Sequence, residues 1–240
     1  MRLTQDSLTI VKQNQLRAFC ERGADILIRL YPDVIQWRDL SHQSLLNLIT
    51  DTYIWTEEHA RSSQLLAVRI ACARLCLGSF FMQDPRYSDL QNIVKQQMSL
   101  YRLTDDDPIN QYLLTIKSDW SKDAFKEQLP QLSELSTSIL TYLDYEDWMK
   151  RLLINDWRIS KPKENQEQQA LFQTLTLRAR NELKSSDEFL TFLLTVAQYY
   201  DGINCFNDPL SIRWFEKIIH NAPTLTHNNI ISAFKPSGGY

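Results

Sequence analysis

Apolar residues recur at spacings of three and four along nearly the whole chain, and that rhythm points to helices throughout. From Leu16 the positions Phe19, Gly23, Ile26, Leu27, Leu30 and Tyr31 share one helical face. Pro32 closes that helix, because the residue before a proline is forced out of the helical region. Ser41 is an N-cap for a second helix carrying Leu45, Leu46, Leu48, Ile49, Tyr53 and Ile54. A third is predicted over about 62–78, with Gly78 in the C-terminal capping position. Its apolar run contains Arg69 and Arg74, so it reads as a buried helix with charges at its margins and not as a membrane span. Asp84-Pro85 and Asp107-Pro108 both signal helix starts, since proline lacks the donor that a first helical turn leaves unpaired. Beyond them, helices are predicted from about 133 to 157 and at about 168–183, 186–200 and 208–219, with 161–169 as a loop. Ser185 and Glu188 form a capping box, and the tail is expected to fray.

Only 5 of 240 residues are glycine, too few for a sandwich of tight turns or for phosphate-cradling loops. A net charge of −3 gives no whole-chain attraction to phosphate backbones. Residues 1–10 lack the apolar stretch of a signal peptide, and a chain of this length needs no disulfides. The expectation is a cytoplasmic protein whose thiols, Cys20, Cys72, Cys76 and Cys205, stay reduced.

Two passages read alike. Gly78-Ser-Phe-Phe-Met-Gln-Asp84-Pro85 and Gly202-Ile-Asn-Cys-Phe-Asn-Asp208-Pro209 share the pattern Gly-x-x-x-apolar-x-Asp-Pro, 124 positions apart. Upstream, Gln43 to Leu46 matches Gln169 to Phe172, and Phe19, Leu27 and Tyr31 match Tyr145, Leu153 and Trp157, all at 126. Matches in the same order, with small shifts in the loops, are what a duplicated unit leaves behind. The expected architecture is all-α, with two tandem diverged four-helix units packed as one body. The boundaries are 1–102 for the first repeat, 103–138 for bridging helices, 139–222 for the second repeat and 223–240 for the tail.

No constellation of reactive side chains stands out. Cys72 and Cys76 lie at i, i+4, a spacing two metal ligands can use, but on an apolar helix with no second pair nearby. His42, His59, His220 and His227 form no ligand motif, and no nucleophile elbow or nucleotide-binding loop is present. The reading is therefore no catalytic residue, no metal and no cofactor. Asp105, Asp106 and Asp107, and Asp144, Glu146 and Asp147, can serve as acidic partner-binding faces, or as helix-capping carboxylates. Trp120, in the polar setting Lys-Ser-Asp-Trp-Ser-Lys, is the tryptophan expected to be least buried and so a candidate contact. Residues 148–163 mix basic and aromatic side chains, but Asp156 and the apolar residues there read as an ordinary amphipathic helix and not as a nucleic-acid site.

The first half also carries Leu3-Thr4, Phe19-x-x-Arg22, Leu30-Tyr31-Pro32, Leu45, Ile49 and Leu77-Gly78-x-x-Phe81-x-x-Asp84-Pro85. Over residues 3–90 this resembles a group of small bacterial helical proteins encoded beside type VI secretion spike and toxin genes. Ser62-Ser63 departs from the charged turn of that group. The resemblance implies a toxin-linked, non-enzymatic role: an immunity protein bound to a cognate effector, or alternatively an effector chaperone or adaptor. A helical-bundle enzyme using His59 or the carboxylates, or a nucleic-acid binder, is the remaining alternative.

Overall fold

The computed structural model describes residues 5–60, 64–116, 165–183 and 202–211, together with Thr191, Leu194, Thr195 and Gln198. Seven α-helices have their bounds within them: α1 (Gln5–Leu30), α2 (Pro32–Trp37), α3 (His42–His59), α4 (Gln64–Leu77), α5 (Ser88–Ser99), α6 (Pro108–Thr115) and α7 (Asn165–Leu183), and Thr191, Leu194, Thr195 and Gln198 are helical too. Short 3-10 turns occupy Phe81–Gln83, Pro85–Tyr87 and Cys205–Asn207. Among the described residues there is no strand, in keeping with an all-α chain.

The helix boundaries follow local chemistry. The Ser41 hydroxyl accepts the Ser44 backbone N–H at 3.1 Å, and the Asp107 carboxylate accepts that of Asn110 at 3.0 Å. Pro32 ends α1 and also occupies the first turn of α2, so one proline both stops and starts a helix. Asp84-Pro85 opens a single 3-10 turn that runs into α5. Asp208-Pro209 opens a turn, and the helix expected behind it lies outside the described residues. Residues 165–169, expected in a loop, belong to α7, which starts at Asn165; Gln166, Glu167 and Gln168 are good helix formers and extend the helix toward its N-terminus.

α4 is the central element. Nearly all of it from Leu66 to Leu77 is buried, and it packs against α1, α2, α3, α5 and α6. A helix apolar on every side has to be surrounded in this way. Gly23 lets α1 approach α3 closely, since a Cβ there would lie 3.0 Å from the Ile49 side chain. Arg69 corrects the expectation of marginal charges: it is buried, with Nη2 donating to the Thr104 carbonyl at 3.0 Å and Nε 3.4 Å from Asp107. A buried guanidinium is tolerable only with such partners. In the described part of the 103–138 segment, residues 103–116, Ile109 and Leu113 of α6 and Ile116 just after it enter the same core as α1–α5. Leu30, expected on the buried face of α1, is 36% exposed, whereas its neighbour Tyr31 is buried and donates to Asn110 Oδ1 at 2.6 Å.

The two similar passages adopt closely similar turns. Gly78 has φ +91° and Gly202 φ +105°, left-handed values that favour glycine. The N–H of Gly78 reaches the Arg74 carbonyl, and that of Gly202 the Gln198 carbonyl. Phe81 bonds back to Gly78 and Cys205 to Gly202, each at 3.2 Å; Asp84 bonds to Phe81 and Asp208 to Cys205, each at 3.1 Å. Asp84 has φ −89°, ψ 115°, and Asp208 φ −90°, ψ 117°. Each carboxylate then accepts the N–H two residues on, from Arg86 at 3.0 Å and Leu210 at 2.9 Å. Asn204 is left-handed with φ 61°, where its counterpart Phe80 has φ −100°.

The two turns also touch. Asp208 accepts the Ser79 backbone N–H and the Ser79 hydroxyl, both at 2.6 Å. Gly202 sits so close that a Cβ would come within 2.4 Å of the Leu77 carbonyl oxygen. Arg38 donates to the Leu210 carbonyl at 3.0 Å, and Arg86 to that of Gln198 at 3.3 Å. Arg86 is itself held in a buried pair with Asp84, Nη2 to Oδ2 at 2.5 Å.

Candidate functional site

The predicted acidic face divides in two. Asp105 and Asp106 are exposed in the loop before α6. Asp107 is tied down as the α6 cap and as the carboxylate beside buried Arg69, which is a structural task. Trp120, Asp144, Glu146, Asp147 and the 148–163 stretch lie outside the described residues. Cys72 and Cys76 are buried in the core. Burial, reinforced by the nearby charge of Asp107, pushes the Cys72 thiol up to about 12, so at neutral pH it packs as a protonated, weakly polar side chain. His59 is exposed at the end of α3, where its Nδ1 donates to the Trp55 carbonyl at 2.8 Å and its ring stacks on the Trp55 indole at 4.9 Å. Neither His59 nor Asp105–Asp107 lines the cleft described next.

That cleft, of about 230 Å³, opens between α3, α4 and the turn after α4. Trp55, Phe80 and Met82, each half-buried, form apolar walls, and Ser79 and Gln83 supply polar edges. Arg74, half-buried in the last turn of α4, lines it too. Its Nη1 donates to the Thr52 hydroxyl at 2.9 Å, and that hydroxyl donates to the Leu48 carbonyl at 2.7 Å. The other guanidinium nitrogens donate to nothing among the described residues. Burial pulls the Arg74 guanidinium below its ordinary value, and the carboxylates of Asp208 and Asp51 act in the opposite sense. Asp208, however, spends its oxygens on the Ser79 N–H and hydroxyl and the Leu210 N–H. A desolvated guanidinium with spare donors binds planar anions strongly.

The second of the two similar turns offers a comparison for this position. Gln198 stands 124 positions after Arg74, is fully buried, and donates from Nε2 to the Leu175 carbonyl at 2.7 Å. α3 buries Leu45, Leu48, Ile49 and Thr52; α7 buries Phe172, Leu175, Thr176 and Ala179 at the same spacing, 127 positions on. The sequence pairing at 126, which sets Leu45 opposite Leu171, is therefore one residue out on this helix, because identity of a few letters is weaker than identity of the buried face. At the offset of 127, where Leu175 stands opposite Leu48, Arg74 reaches Leu48 through Thr52 and Gln198 reaches Leu175 directly, Ala179 having no hydroxyl to intervene. A neutral amide thus makes the corresponding hydrogen bond between helices. Reading the sequence alone assigned Arg74 to the margin of a buried helix and missed the cleft, whose lining comes from three separate elements.

No protein-family model matches the chain, and neither a curated protein nor a solved structure matches it.

Proposed function

We propose that this chain is a non-enzymatic protein-binding protein, an immunity protein that binds and neutralises a cognate type VI secretion toxin in the bacterial cytoplasm. The observation that supports binding is the open cleft in which Trp55, Phe80 and Met82 surround Arg74. Tryptophan, phenylalanine, methionine and arginine are the side chains enriched where protein interfaces concentrate their energy. Asp105 and Asp106, exposed and free of the capping task that holds Asp107, are suited to steering a basic toxin surface into place. The link to type VI secretion rests on the sequence resemblance over residues 3–90. The underlying architecture is two diverged four-helix units, 1–102 and 139–222, joined by 103–138, a reading supported by the matched turns at Gly78 and Gly202.

An effector chaperone or adaptor is the second reading, favoured by the same apolar walls, which suit an effector's hydrophobic segment. Affinity purification of the tagged, full-length protein from its native cells, with mass spectrometry of what accompanies it, separates the two. A stoichiometric partner bound through its toxic domain supports immunity. A partner bound through a spike-proximal region supports chaperoning. Repeated recovery of the protein alone under mild conditions rejects both.

A further inference from the structure

We infer that the Arg74 cleft is a docking site for a carboxylate side chain, Asp or Glu, carried beside an apolar residue on a partner protein; this rests on the protein-binding reading above. Three observations carry it. First, Arg74 spends one nitrogen on Thr52 and keeps its remaining donors without a partner among the described residues. Second, the equivalent place in the second turn holds Gln198, which reaches the neighbouring helix without any charge. The hydrogen bond to the neighbouring helix therefore does not by itself require a guanidinium at position 74, and Asp208 and Asp51, which attract it, form no close ion pair with it. Third, the walls are Trp55, Phe80 and Met82, which exclude water around an incoming ion pair and strengthen it. A forked guanidinium matches a carboxylate oxygen pair, and the apolar walls accept the side chain next to it. A cationic occupant is disfavoured by Arg74 itself.

The test uses full-length protein labelled with ¹⁵N and observes the Trp55 indole N–H and Arg74 Nε–H resonances. The probes are three acetylated tripeptides: amidated Leu-Glu-Phe, amidated Leu-Gln-Phe, and Leu-Gln-Phe with a free C-terminal acid. The expected result is saturable perturbation of both resonances by the Glu peptide at about millimolar concentration, at least about fivefold tighter than by the amidated Gln peptide. Arg74→Gln, which copies the residue at the equivalent place, abolishes that preference and keeps the helical circular dichroism. Equal binding of the two amidated peptides, or no perturbation by either at about 10 mM, overturns the inference. Tighter binding of the free-acid peptide than of the Glu peptide assigns the site to a chain terminus and also overturns it. The wild-type peptide comparison decides the matter even if Arg74→Gln does not fold. In the purification experiment, equal recovery of one partner by wild type and Arg74→Gln refutes the cleft and leaves the protein-binding reading standing.

Discussion

Replacing Asp208 by asparagine changes one oxygen to nitrogen at the contact between the two turns. Asp208 Oδ2 accepts the Ser79 N–H, while Oδ1 accepts both the Ser79 hydroxyl and the Leu210 N–H. An amide satisfies only part of this set. With its oxygen in the Oδ1 place, its NH₂ faces the Ser79 N–H; with the oxygen in the Oδ2 place, it faces the Leu210 N–H. Either orientation strands one backbone donor, at a cost of about 1–3 kcal/mol. The surviving bonds also lose their charged acceptor, which roughly halves them. The total is about 2–4 kcal/mol. With a urea m value of about 3 kcal/mol/M, the unfolding midpoint falls by about 1 M. Asp208→Ala costs more, because both N–H groups are then stranded. A double-mutant cycle with Ser79→Ala gives a coupling of about 1–2 kcal/mol. The reasoning fails if Asp208→Asn moves the midpoint by less than about 0.2 M and hydrogen exchange at Ser79 and Leu210 is unchanged.

Other substitutions probe the same framework. Gly202→Ala combines φ +105° with a Cβ 2.4 Å from the Leu77 carbonyl oxygen, so it costs about 3 kcal/mol or more; Gly23→Ala, opposed only by the Ile49 side chain at 3.0 Å, costs less, as paired urea melts check. Asp107→Ala removes the α6 cap and the carboxylate beside buried Arg69, lowering stability by about 2–4 kcal/mol. Asp105→Asn and Asp106→Asn stay within about 0.5 kcal/mol by the same melts. If the exposed acids steer a basic partner, these two variants slow association and flatten its salt dependence in stopped-flow measurements. The Cys72 thiol is raised from 9.0 to about 12 in the fold. A raised acid contributes stability that is complete below pH 9 and is lost as pH climbs toward 12, at up to about 1.4 kcal/mol per pH unit. Tyr31, raised in the same direction by burial, adds to the decline, so Cys72→Ala lessens the slope without removing it. An unchanged alkaline slope in Cys72→Ala argues against the buried thiol as its source.

The candidate site was less legible than the fold for a definable reason. Helix caps at Ser41 and Asp107 and the glycine at position 78 act within a few residues, so local spacing exposes them. The Arg74 cleft draws Trp55 from α3, Arg74 from α4 and Phe80 to Gln83 from the following turn, and nothing in their spacing signals that they meet. Within the acidic run at 105–107, Pro108 marks Asp107 as a cap, but its second task, facing Arg69, 5% exposed on α4, comes only from the tertiary structure.

The sequence by itself determined the helical class, the helix ends at Ser41, Gly78 and Asp107 and the likeness of the two Gly-to-Asp-Pro turns, because helix periodicity, capping and left-handed glycine are properties of short stretches of chain. Tertiary structure decided that α4 packs against five other helices, that Arg69 is inside, that the buried residues of α3 and α7 share a spacing one residue away from their letter match, and that Asp208 of one turn caps the other. These depend on which surfaces meet between residues distant in the chain, where burial and the need to satisfy every buried donor select the arrangement.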